Sequence, residues 1–203
     1  MPKSSRATTT KTSTGKRSPY FKSSSNNKES PLPSNVPEDN AVPDNIDHDL
    51  RVLFVGINPG VMSAARGHHF AGPTNHFWPC LSESGLVTKK VTYKDDADLP
   101  RLYRKAGIPV LTAKFKEYRP RVACFVGKGI YEIYTGEKCK SMGLQDRTVQ
   151  WENRKGSTRL FVMPSTSGIV SAYQKADKLK FFQELNEVAN RLDKEYQDVE
   201  KDR

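Results

Sequence analysis

Two stretches of the chain gather residues able to do chemistry. The first is Gly56-Ile57-Asn58-Pro59-Gly60, followed by Arg66-Gly67-His68-His69-Phe70-Ala71-Gly72-Pro73-Thr74-Asn75-His76-Phe77-Trp78. It offers glycines that allow close backbone approach, a side-chain amide, three histidines and aromatic faces. Standing alone, the pentapeptide reads first as a plain turn, with Asn58 bonding its own backbone. It is not a phosphate-cradling P-loop, because the Lys-Ser/Thr ending is missing. The histidines have no carboxylate or cysteine partner at ligand spacing, so no metal is expected. The second stretch is Met163-Pro164-Ser165-Thr166-Ser167-Gly168-Ile169, a hydroxyl-rich loop with one aliphatic residue at its end.

Both stretches follow short apolar runs. Val52-Leu53-Phe54-Val55-Gly56-Ile57 reads as a buried strand, and Val122-Ala123-Cys124-Phe125-Val126-Gly127 repeats its grammar. Ile130, Ile133 and Tyr134 then suggest a helix. Leu160-Phe161-Val162-Met163 is a third strand, closed by Pro164. Ala176, Leu179, Phe182, Leu185, Val188 and Leu192 recur every three or four residues and predict a long amphipathic helix. A weaker helical pattern, Leu111, Phe115 and Tyr118, follows Gly107 and Pro109. Continuous apolar strands separated by helices imply an α/β fold with a mainly parallel sheet covered on both faces. In such folds the chemistry sits at the carboxyl edge of the strands.

Composition sets the frame around these elements. The chain has 203 residues, with 33 Lys and Arg against 23 Asp and Glu, a formal charge of +10 and 35% apolar residues. Its mean hydropathy of −0.70 argues against a membrane protein, and no secretory signal is visible. Cys80, Cys124 and Cys139 form no Cys-x-x-Cys pair, which suggests a reducing, intracellular setting. Residues 1–28 hold seven Lys or Arg, no acid and twelve Ser or Thr. Pro31, Pro33, Pro37 and Pro43 extend this polar segment. Residues 1–43 are therefore expected to be a disordered basic arm, and 44–203 a single domain. Glu29, Glu38 and Asp39 leave +4 on the arm, so +6 falls on the domain. Basic charge on both parts favours a polyanionic partner such as nucleic acid; a solubilising tail or an import signal explains the arm equally.

Taken together, Gly56 to Gly60, Gly67-His68-His69-Phe70, Asn75-His76-Phe77-Trp78 and Met163-Pro164-Ser165-Thr166-Ser167 resemble the mismatch-specific uracil/thymine-DNA glycosylases. Arg119-Pro120-Arg121-Val122, Gly127-Lys128 and Tyr131-Glu132-Ile133 also fit. The likeness runs from about Asp49 to Phe182, and several motifs in the family's order make it specific. It implies a three-layer α/β sandwich that turns a uracil or thymine opposite guanine out of double-stranded DNA and hydrolyses its glycosidic bond. No cofactor is implied. A monomer acting in base excision repair in the nucleus is expected.

The resemblance also implies roles for individual residues. Asn58 matches the catalytic asparagine, whose amide can hold a water but cannot take its proton. That suffices if bond cleavage runs ahead of attack, with the departing anion stabilised by backbone N–H groups near Ile57 and by His69. Gly56, Ile57, Pro59, Ser63 and Phe70 would form the base pocket. Phe70 would stack on the base, or else fill the core. Ser63 would crowd the 5-position and favour uracil over thymine. Asn75 and His76 would brace the loop. Ser165, Thr166, Ser167 and Gly168 would meet the DNA backbone, with Ile169 filling the vacated stack.

One departure stands against the family pattern. Members carry a strand ending in Gly-x-Thr-Asn inside the sheet, whereas here Leu99-Pro100 runs straight into Arg101-Leu102-Tyr103-Arg104-Lys105. One strand is therefore expected to be missing, leaving a gap or forcing new pairing of buried backbone groups. Two readings follow: a monofunctional glycosylase, or a catalytically impaired DNA-binding relative that lacks part of the base pocket.

Overall fold

A computed structural model describes residues 42, 44–56, 60–98, 101–103 and 108–201. All of them belong to the second of the chain's two units, Asn35–Arg203. The basic arm expected over 1–43 lies outside the described residues apart from Val42, as do Ile57, Asn58 and Pro59.

The elements alternate as the apolar runs predict. They are β1 (Val52–Gly56), α1 (Val61–Arg66), α2 (Phe77–Glu83), a 3₁₀ turn (Tyr93–Asp98), β2 (Arg101–Tyr103), α3 (Ile108–Tyr118), β3 (Val122–Val126), α4 (Lys128–Thr135), β4 (Gly143–Gln150), β5 (Ser157–Met163) and α5 (Lys175–Lys201). The sheet order is β2-β1-β3-β5-β4. The first four strands in that order are parallel, and β4 runs antiparallel to β5 at the edge.

The sheet is buried on both faces because β1, β3 and the last four residues of β5 are apolar at every position. Phe54, Cys124, Val126, Phe161 and Met163 face α2 and α5, packing on Phe77, Trp78, Phe182 and Leu185. Leu53, Val55, Ala123, Phe125, Leu160 and Val162 face α3 and α4, packing on Phe115, Tyr131 and Tyr134. Three layers result. The far end of α5 is anchored by Asp193, which accepts from Arg51 at 2.5 Å and also from Arg121.

Two features depart from the sequence expectation. β4 carries no continuous apolar run, because as an edge strand it has only Gly143 and Val149 buried. No gap is left beside β1: β2 joins it in parallel, Phe54 opposite Arg101 and Gly56 opposite Tyr103. It does so at the sheet edge, not inside it. On α4, Ile133 is 62% exposed, while Tyr131 and Tyr134 fill the core.

This burial has a measurable consequence. Phe125, fully buried and edge-on to Phe115 and Tyr131, should cost about 3–5 kcal/mol when replaced by alanine. Ile133→Ala should cost less than about 0.5 kcal/mol. Urea unfolding of the two variants checks the ordering.

Candidate nucleic-acid interface and active-site loops

Three parallel strands bring three chain exits to one edge of the sheet. β1 ends at Gly56, β3 at Val126 and β5 at Met163, side by side and pointing the same way. The Gly127 amide donates to the Met163 carbonyl at 2.9 Å, which closes the last two exits together. Gly60 begins α1, so the positions on either side of Ile57, Asn58 and Pro59 are fixed.

After α1, the chain makes a left-handed cap at Gly67 (φ +66°) and enters the loop that carries His68, His69 and Phe70. Side chains grip this loop from three sides. The Asp96 carboxylate accepts from the His69 amide at 2.7 Å and lies 2.8 Å from His68 Nδ1. The Trp78 indole donates to the His69 carbonyl at 3.0 Å. Ser63 Oγ accepts from the Ala71 amide at 3.0 Å, and Arg66 donates to the Ala71 carbonyl at 2.6 Å. Phe70 sits between these anchors at φ +49°, a left-handed conformation costly for a non-glycine residue.

These contacts define what each expected pocket residue can offer. His69 is 2% exposed, and its backbone N–H is committed to Asp96. Phe70 stacks on Phe77 with centroids 4.0 Å apart and planes 8° apart, so one of its faces is occupied. It also borders a cavity of about 590 Å³, shared with Trp78, Tyr93 and Arg66. Ser63 is buried, and its hydroxyl oxygen takes the Ala71 amide. Sequence reasoning missed Asp96, which lies beyond a long polar connection and carries no motif.

The second loop is tied to the first. The His76 amide donates to the Thr166 carbonyl at 2.9 Å. Lys178, from α5, donates to the Ser167 carbonyl at 2.8 Å and lies 3.3 Å from His76 Nδ1. Gly168 presses on the other strand of the pair: a Cβ there would stand 2.4 Å from the Thr74 carbonyl oxygen. Ile169 projects at 89% exposure. Thr166 was among the expected DNA contacts. It is 1% exposed and supports the loop from inside, because its carbonyl is the anchor for His76. Asn75 and His76 brace the loop as expected, Asn75 accepting the Phe77 amide at 3.0 Å.

The sequence matches known proteins. The profile of the Uracil DNA glycosylase superfamily covers residues 43–190, and the chain belongs to that superfamily. It is similar to the G/U mismatch-specific uracil DNA glycosylase of Schizosaccharomyces pombe. The two are 32% identical over 179 residues, covering 74% of this chain and 54% of the relative. The chain therefore spans about half the length of that relative.

Burial, and secondarily the cations of Lys178 and Lys175, hold His76 below its ordinary value of 6.5. A histidine whose folded-state value is depressed adds stability that is complete above the unfolded value and is lost as pH falls through the folded one. His76→Asn should therefore flatten the acid side of the stability profile between about pH 5 and 7. Urea midpoints measured across that range check it; an unchanged slope would contradict it.

Proposed function

We propose that the chain is a monofunctional DNA glycosylase that hydrolyses the glycosidic bond of uracil mispaired with guanine in double-stranded DNA, with thymine a poorer substrate. Membership of the superfamily over 43–190, with both motif-bearing loops at one sheet edge, is the observation that carries this reading. The similarity to a relative named for G/U mismatches supports the choice of uracil. On this reading residues 1–43 form a basic arm, the protein works as a monomer, and its place is the nucleus.

The chemistry follows from what the residues can supply. The target sugar–base bond is inaccessible inside the stack, so the nucleotide must swing out. A base leaving as an anion draws charge away from the sugar, which becomes oxocarbenium-like at its anomeric carbon. Asn58 then needs only to orient a water, because attack on a cationic carbon does not require a strong base. The departing pyrimidine anion would be met by the amide of Ile57 and the His69 ring. Its plane would lie against the Phe70 ring. Outside the pocket, Ser165, Ser167 and Gly168 would follow the DNA backbone, and Ile169 would fill the gap in the stack. Unstacking costs a few kcal/mol, which an inserted apolar side chain offsets in part without reading the orphan guanine.

A second reading rests on one specific observation. Between Trp78 and Arg119 the sequence has no Gly-x-Thr-Asn, the segment that carries a pocket asparagine in the family pattern, and β2 pairs with β1 over only three residues. A chain lacking that group could bind duplex DNA through the second loop and excise nothing.

Abasic-site formation on a G·U duplex separates the two. Asn58→Ala should lower the rate by about 10²-fold or more. Equal rates would remove Asn58 from the mechanism, and binding without product from either protein would favour the second reading. Ser63→Ala should raise thymine excision relative to uracil. It should also cost about 1–3 kcal/mol, because the buried Ala71 amide loses its acceptor. An unmoved uracil-to-thymine ratio would rule out Ser63 as the source of selectivity.

A further inference from the structure

Among the described residues Lys178 is the only buried lysine or arginine, at 1% exposure. It stands one turn before Phe182 on the inward side of α5, directly behind the second loop. Two of its three donors are used, on the Ser167 carbonyl and on His76 Nδ1. No carboxylate among the described residues pairs with it. The groups around it supply no negative charge. His76 is kept neutral by burial and by the nearby lysines. Burial pushes the Cys80 thiol up to about 11, so it stays protonated. Lys175 is a second cation, and Glu83 is engaged by it at 2.6 Å. Asp177, on the same helix, accepts the Gln174 amide at 3.1 Å and lies 3.9 Å from Lys180.

An ammonium removed from water without a counter-ion is expensive to keep, and the loop in front of it is arranged to receive an anion. Ser165 Oγ accepts the Ser167 amide at 3.4 Å, and Ser167 Oγ accepts the Ile169 amide at 3.3 Å. Each hydroxyl is thus used as an acceptor and keeps its own proton for an acceptor outside the loop. Both serines are partly exposed. Two hydroxyl donors therefore lie on the loop whose Ser167 carbonyl the buried ammonium holds at 2.8 Å. Across so little intervening water the field of the ammonium reaches the loop surface with little screening.

We infer that Lys178 is a positioning residue whose charge is left uncompensated in the free protein and is balanced when a phosphate of the bound DNA strand settles on Ser165 and Ser167. This rests on reading that loop as the one facing DNA. The buried charge serves two ends. It holds the Ser167 carbonyl, which fixes the loop that displays Ile169, and it favours the docked anion over solvent.

Linkage makes the inference testable in the native chain, because an anion that favours the charged lysine must raise its proton affinity by the same factor. The experiment follows the lysine ε-carbon NMR signals against pH, free and saturated with a duplex carrying a tetrahydrofuran abasic analogue opposite guanine. Lys178 is assigned through the signal lost in Lys178→Met. Its pKa should rise on binding by about one unit, equivalent to a tenfold preference for the charged form. Lys178→Met should bind the same duplex about tenfold more weakly, and Lys178→Arg should recover most of that loss. Should the methionine variant fail to fold, the arginine variant supplies the assignment and the titration of the native chain still decides. An unchanged Lys178 pKa in a chain that binds the duplex overturns this inference and leaves the glycosylase reading intact. Failure to bind the duplex at all overturns both.

Discussion

The His76 amide and the Thr166 carbonyl, 2.9 Å apart, join two loops that are distant in sequence and follow different strands. That bond can form only because β1, β3 and β5 are parallel and end level with one another. Parallel order is in turn a product of composition: β1, β3 and the end of β5 have no polar residue to present to water on either face, so helices must cover both. Each layer of the molecule thus answers a demand made by the apolar runs, and the site is where the covered strands stop.

At that edge the chain spends stability on shape. Phe70 is held at a positive φ that costs about 1–3 kcal/mol. Four hydrogen bonds from Asp96, Trp78, Ser63 and Arg66 grip the backbone on either side of it. At about 1 kcal/mol net for each, they outweigh the strain and keep the loop in one conformation. The second loop shows the same pattern with a buried cation as its grip. Preorganised donors and faces are what a reaction with a developing anion requires, because nothing then has to reorganise as the charge appears.

How much of this was legible depended on whether burial left a mark in the sequence. β1, β3, the end of β5 and the stripe of α5 were readable because they are apolar on both faces or at helical spacing. β4 was not, since an edge strand can be polar along most of its length. β2 was not either, being three residues of backbone pairing without an apolar run. Ile133 helped to mark α4 without facing its core: Tyr131 and Tyr134 are buried and leave the isoleucine outside. The loop motifs were visible, but their supports were not. Asp96 acts across a long connection, and Thr166 looked like a surface hydroxyl until its carbonyl was found to hold His76. Lys178 did leave a trace, for it falls four residues before Phe182 on the row that continues inward, where a charged residue is out of place.

The central claim is that the carboxyl edge receives a uracil swung out of its duplex and presents Asn58 to its sugar. A crystal structure of the chain on a G·U duplex, with a 2′-fluoro sugar at the uridine to slow cleavage, tests it most directly. The account predicts an extrahelical uracil against the Phe70 ring, the Asn58 amide turned to the anomeric carbon, and Ile169 in the vacated stack. A uracil still stacked in the helix, or an Asn58 side chain directed away from that carbon, would contradict it.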